Sequence, residues 1–339
     1  MDQYFSIVPE IVATCHETKN LFSYVKSRAQ LLEFMSVAGE SNYIGREGVE
    51  FYPQEMTVFE TAREPSTNTC ISLRNIQVKK SKYKVPQSVV LLERKFLHPL
   101  VKGIDVMPFH VNYSGLVVPF PYDGKDTRLP IPLDKLALEA PRLASFYQRF
   151  KALILAQTSY NERIIGKVGA FYALARVGAY SFAKHYVVFR DNTRWGAAVV
   201  SDIETDWGGL RHPLFQNHCV SICEDVNGNF ITKEEAHFIC GIMNAPITFD
   251  YMSRSSDSRS FPIRPRIYIP KYDPANRYHA HIVKLSKRAH QSYNNRKEIE
   301  IIGEELNAAY LRIASAAYAA RQKPDMVEET NGAYLNAAE

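Results

Sequence analysis

Residues 259–290 read RSFPIRPRIYIPKYDPANRYHAHIVKLSKRAH. Pro262, Pro265 and Pro270 bound short runs of Ile and Tyr, a composition suited to extended backbone, and the segment then runs straight into a basic helix. Strand-like and helical runs occupy separate blocks along the rest of the chain, so the fold class expected is α+β. The stretch holds five Arg and three Lys, namely Lys271, Lys284 and Lys287. So dense a cationic face suits a polyanion. Over the whole chain Lys and Arg outnumber Asp and Glu by only 41 to 36, so the basic character is local.

At 339 residues, with 46% apolar and 23% charged residues, the chain has a normal globular composition and can build a sizeable core. No window reaches about 18 uninterrupted apolar residues, and the start, with Asp2, Gln3, Pro9 and Glu10, lacks the basic and apolar regions of a signal peptide. A cytoplasmic protein without a membrane contact is expected. Five Cys, at 15, 70, 219, 223 and 240, fit reduced thiols better than a disulfide frame.

Residues 1–60 read as a helical entry module whose apolar pattern (Leu21, Tyr24, Val25, Leu31, Leu32, Met35) breaks at Gly39. Residues 61–84 are polar, lack a helical period and end in Lys79, Lys80, Lys82 and Lys84, which reads as an exposed segment with at most short strands. From 85 to 122, β-branched and aromatic runs punctuated by Pro and Gly predict strands and tight turns. Leu136, Ala140, Leu143, Tyr147, Phe150 and Ile154 then form a helical stripe, with Pro141 at a first turn. The spacing predicts a spacer helix over about 141–157. Strands resume in AFYALARVGAYSFAKHYVVFRD and WGAAVVS. KEEAHFICGIMNAP reads as a helix with Thr232 as N-cap, Glu235 at the capping-box position and a stop before Pro246. A last helix over 296–323 repeats the stripe with Ile299, Ile302, Leu306, Ala309, Ile313 and Ala316. These two striped helices are expected to pack as an antiparallel pair, and residues 324–339 are expected to be a disordered tail.

Neither GxGxxG nor GxxxxGK[ST] occurs in the chain. His212, His218, Cys219, Cys223, His237 and Cys240 form the one metal-like set, but Cys219, Ser221 and Cys223 alternate along a strand pattern while His237 and Cys240 lie one helical turn apart, which favours core positions over zinc. Glu93 and Lys95 in LLERK are the nearest approach to a nuclease constellation and read as a solvated strand face. Chemistry therefore rests on cations. Arg254, Arg259, Arg264 and Arg266 lie within thirteen residues among Ser and Pro, the mixture of a loop that touches phosphates and can send an Arg fork to guanine. Arg190, Arg194 and Trp195 in VVFRDNTRWGA are placed to form a hairpin tip that reads base edges.

AFYALARVGAYSFAKHYVVFRD, ICGIMNAPITFDYMSRSSDSRSF and RIYIPKYDPANRYHAHIVKLSKRAH, followed by a terminal helix, together resemble the C-terminal, TaqI-like target-recognition region of N6-adenine DNA methyltransferases and restriction-modification enzymes. GREGVEFYPQEMTVFE, FLHPLVKG, VPFPYDGK and APRLASFYQRFKALI fall in the same order, so the resemblance spans roughly residues 40–322. It implies a strand-rich target-recognition globule over 61–295 with a pair of long spacer or docking helices. It also implies a duplex-DNA partner and an adenine methyltransferase subunit or domain, which alone would bind S-adenosylmethionine. This chain lacks the glycine motif for that cofactor and the Asn-Pro-Pro-Tyr/Phe motif, so it is expected to hold no cofactor and to be the non-catalytic specificity part. The expected DNA contacts are Arg190, Arg194, Trp195, Arg254, Arg259, Arg264, Arg266, Lys271, Lys284 and Lys287. Two other classes compete with this reading: a stand-alone metal-dependent nuclease using Glu93 and Lys95, and an interaction scaffold for an acidic protein.

Overall fold

A computed structural model describes residues 12–14, 22–24, 27–79, 83, 85–125, 127–156, 170–256 and 260–322. Two short strands, β1 (Val12–Thr14) and β2 (Phe22–Tyr24), pair antiparallel ahead of helix α1 (Arg28–Val37). The helical pattern read from Leu21 therefore begins only at Ser27, whose hydroxyl accepts from the Gln30 amide at 3.1 Å. Next come β3 (Tyr43–Arg46), the single turn α2 (Gln54–Thr57), β4 (Phe59–Thr61), β5 (Cys70–Asn75) and β6 (Val89–Glu93). They lead into β7 (Leu97–Val101), β8 (Val106–Met107), β9 (His110–Val111) and β10 (Leu116–Pro119). Helices α3 (Leu133–Glu139) and α4 (Pro141–Leu155) follow.

The second strand block comprises β11 (Tyr186–Arg190), β12 (Ala197–Val200), β13 (Ile203–Thr205), β14 (Gly209–Arg211), β15 (Leu214–Phe215) and β16 (Cys219–Asp225). The chain then becomes helical, with α5 (Lys233–Met243), α6 (Pro246–Ser255), α7 (Arg277–Gln291) and α8 (Arg296–Gln322). The fold is α+β.

Two sheets organise these elements. One has the order β15-β7-β10-β4-β5-β6, the other β12-β11-β16-β3. Alternation along β11 decides how the second is covered. Val187 and Phe189 face a core shared with α1, α5, α6, α7 and α8, whereas Tyr186 and Val188 face a core shared with Val101, Val106 and Phe215. A sheet dry on both faces needs near-continuous apolar strands, and β16 is accordingly buried at every residue. The six-stranded sheet splits its residues likewise. Val117 and Leu97 face α3 and α4, while Leu116 and Val118 join Val58, Phe120 and Leu214 on the other side.

Residues 43–61, expected in a separate entry module, supply β3 to one sheet and β4 to the other. The segment 61–84 likewise contains the buried six-residue strand β5, not merely exposed backbone. Its polar residues conceal this in the sequence because each is satisfied internally. The Ser72 hydroxyl donates to the Pro65 carbonyl at 2.7 Å, and the Asn75 amide donates to the Glu55 carbonyl at 2.7 Å.

The stripe over 136–154 is real but broken. α3 ends before Ala140 and α4 restarts at Pro141, with Leu136, Ala140, Leu143, Tyr147 and Ile154 all in the core under the six-stranded sheet. Ile302, Leu306 and Ala309 of α8 belong instead to the helical core over the four-stranded sheet. The antiparallel pairing expected of these two stripes is therefore not made, because each has its own sheet or helix layer to cover it. The long helices that do associate are α7 and α8.

Both edges of the four-stranded sheet are occupied. On β12 the Asn244 side chain accepts from the Ala197 amide at 2.9 Å and donates to its carbonyl at 2.7 Å, and His290 Nε2 accepts from the Val199 amide at 3.0 Å. Along β3, Gly45 admits the Ile263 carbonyl where any Cβ would collide with it, and Ser41 and Ala38 bridge to Ile269 and Ile267.

Candidate nucleic-acid interface

The strand register builds the interface. β11 and β12 pair from Tyr186 with Val200 to Phe189 with Ala197, leaving residues 190–196 as the tip of the hairpin. Thr193 there adopts a left-handed φ of 61°, which closes the turn. Arg194 is exposed at this tip, and Arg190 is half-buried with its Nε donating to Asn192 Oδ1 at 2.9 Å. Neither forms an ion pair with an acidic residue among the described residues. The Phe261 amide donates to the Asp191 carbonyl, so the loop that carries Arg264 is tied to the tip. Arg264 is exposed and likewise unmatched by any acid among the described residues.

The remaining cations divide by partner. Lys271 is not a free ligand for phosphate. Its Nζ sits 2.9 Å from Asp225 Oδ2 and 2.7 Å from Glu235 Oε1, two carboxylates whose side chains are 3% and 8% exposed. Burial alone would push the Asp225 carboxyl up, but hydrogen bonds from Lys271, Asn229 and Asn227 hold it down to about 2. Arg254 bonds Asp250 at 2.8 Å and Lys287 bonds Glu234 at 3.0 Å, both on helix surfaces. Arg266 is exposed, and its carbonyl accepts from the Gly39 amide. Lys284 is exposed on the outer face of α7, and Arg259 lies outside the described residues.

Trp195 departs most from expectation. It is 2% exposed, its ring lies 5.4 Å from those of Phe189 and Phe261, and its indole N–H donates to the Met243 carbonyl at 2.7 Å. It anchors the tip to the core and cannot reach a base edge. A large aromatic beside two Arg looks like a reader in sequence, but one residue past the turn its side chain points inward.

Two residues at the same tip were not among the expected DNA contacts: Asp191, and His218, which the sequence placed only in the metal-like set. His218 is 63% exposed, and its Nδ1 lies 3.0 Å from Oδ2 of Asp191, whose side chain is only 17% exposed. The pairing of Arg190 with Cys219 sets Asp191 opposite His218, a register that the sequence does not show. Gly103 presses its backbone against this pair: a Cβ there would collide with the His218 carbonyl and lie 3.3 Å from Arg190 Cγ. The turn carrying Lys102 and Asp105 is thereby packed beside the tip.

The nuclease residues have other duties. Glu93 is buried, and its two carboxylate oxygens accept from the Arg142 and Leu143 amides at 2.8 and 3.0 Å, capping α4, where Ala140 offers no side-chain acceptor. It is not a solvated strand residue. Lys95 is ion-paired with Glu139.

The Cys and His set is dispersed: four of its members are buried and His218 is exposed. Cys219 and Cys223 face one side of the four-stranded sheet, Cys240 faces the helical core, and His237 Nδ1 lies 3.2 Å from Ser286 Oγ. Among the described residues, no group of three or more His, Cys, Asp or Glu could hold a metal ion, and no helix is long and apolar enough to cross a membrane. No family model matches the chain, and no curated protein matches it in sequence.

Proposed function

We propose that this chain recognises a duplex DNA site on behalf of an adenine-N6 methyltransferase in a restriction-modification system, acting in the cytoplasm and leaving S-adenosylmethionine and methyl transfer to a catalytic subunit or domain. The observation that carries the reading is the junction of the β11–β12 tip with the 260–264 loop through Asp191 and Phe261. It brings Arg190, the last residue of β11, together with the exposed Arg194 and Arg264 at one end of the sheet, without acidic partners among the described residues. Unneutralised Arg forks suit phosphate and guanine contacts. The resemblance over residues 40–322 supplies the methyltransferase context.

A double reversal, Arg194→Glu with Arg264→Glu, is expected to weaken duplex binding by more than about ten-fold and to lower the slope of log affinity against log salt by about one for each phosphate released. Lys287→Ala removes a cation already paired with Glu234, so its affinity should stay near that of the parent chain. Equal affinity in the parent chain and the folded double variant would overturn the proposal. A selection from random duplexes, with and without an adenine methyltransferase, then gives the site recognised.

A further inference from the structure

We infer that His218 is a phosphodiester-binding residue of the hairpin tip and that Asp191 is its positioning residue, an inference that rests on the DNA-binding reading above. An exposed histidine is ordinarily free to rotate. This ring is held by a hydrogen bond of 3.0 Å between Nδ1 and Asp191 Oδ2, which leaves Nε2 for an outside partner.

Asp191 itself is hard to explain as a structural residue. Its side chain is mostly buried, and among the described residues Oδ1 has no hydrogen-bond partner although it is out of contact with water. Among the described residues its one side-chain bond is to the exposed ring. A buried carboxylate left half-satisfied costs stability, and such a cost is commonly retained where the group serves a site. Its backbone carbonyl meanwhile ties down the loop that carries Arg264. One residue thus fixes both the ring and the basic loop.

The chemistry selects the ligand. With a proton on each nitrogen the ring gives one N–H to Asp191 and offers the other, with its charge, to a phosphate oxygen. With a single proton, kept on Nδ1 by the carboxylate, Nε2 presents a lone pair that repels phosphate. The groups around the ring are Arg190, the last residue of β11, Asp191 beside it, Lys102 and Asp105 of the adjacent turn, and Cys219 next along β16.

The test measures affinity of the full chain for a short fluorescent duplex at constant salt and pH. His218→Gln should bind about five-fold more weakly than the parent chain. His218→Arg should restore tight binding, since its guanidinium can meet the same phosphate oxygen. Asp191→Asn should reproduce the His218→Gln loss with the ring still present, and a thermal melt reports whether it folds. If it does not, the two substitutions at the exposed position 218 still decide the matter. Superimposable curves for the parent chain and His218→Gln, with the duplex bound, would overturn this inference and leave the DNA reading standing. No duplex binding by any of them would overturn both.

Discussion

Lys271 shows how a residue that looks like a ligand contact becomes a structural tie. Its ammonium joins two carboxylates from β16 and α5 and lies 5.3 Å from the centre of the Tyr43 ring, so three elements meet on one charge. Lys271→Met would leave Asp225 and Glu235 buried without their cation. We expect a loss of about 3–5 kcal/mol in urea unfolding, against about 0–1 for Lys287→Met at an exposed pair. Similar small losses for both would refute the tie. Glu93 carries a parallel argument. Pro141 has no amide hydrogen and Ala140 has no side-chain acceptor, so the next two amides of α4 depend on a carboxylate from β6. Glu93→Ala should cost about 1–2 kcal/mol and leave DNA affinity unchanged. A change in affinity without a change in stability would return Glu93 to the functional surface.

At the level of elements, the striped helices α4 and α8 serve separate cores. Leu143→Ala and Leu306→Ala, both at fully buried positions, should each cost about 2–5 kcal/mol. Their effects should add within about 0.5 kcal/mol, whereas a coupling well above that would mean the helices share an interface after all.

The contrast marks what was legible in the sequence. Periodicity gave the stripes, the capping box placed Thr232 and Glu235, whose hydrogen bonds of 3.2 and 2.9 Å are both made, and the last helix was found almost to the residue. Partnership was not legible, because a stripe says that a face is buried and not against what. The basic loop and the tip could each be seen, but their junction arises from a long-range bond between Phe261 and Asp191, and no local pattern encodes that. Trp195 and β5 were misread for one reason: the side chain's surroundings, not its type, decide whether an aromatic is a reader and whether Ser72 and Asn75 can be interior.

For the molecule as a whole, buried histidines set the response to acid. Burial lowers His98 to about 4. Burial first, and then the charges of His290 and nearby lysines, lowers His237 to about 3. The unfolded chain takes up these protons near 6.5, so the stability they carry is full above that pH, declines as pH falls and levels off only below about 4 and about 3. Asp225 adds a further loss below 3.8. Urea midpoints should therefore fall steadily from about pH 7 to about pH 4, and His237→Asn should flatten the slope at about pH 5 by nearly one proton, about 1.4 kcal/mol per pH unit. An unchanged slope in that variant would assign the acid sensitivity elsewhere.

The side chains of Asn244 and His290 also have a consequence for how copies of this chain meet one another in solution. A sheet whose outer strand shows bare amides and carbonyls is a template onto which a second molecule can add its own strand, and runaway addition ends in fibrils. Here the Ala197 amide and carbonyl and the Val199 amide are occupied by Asn244 and His290, while the opposite margin lies under the 263–269 segment. Association through main-chain pairing at this sheet is thus closed off, although β11 carries the apolar run Tyr186–Phe189. Asn244→Ala combined with His290→Ala should raise light scattering on gentle heating well before the parent chain clouds. The same closure means that a protein partner docking on this sheet must approach through side chains.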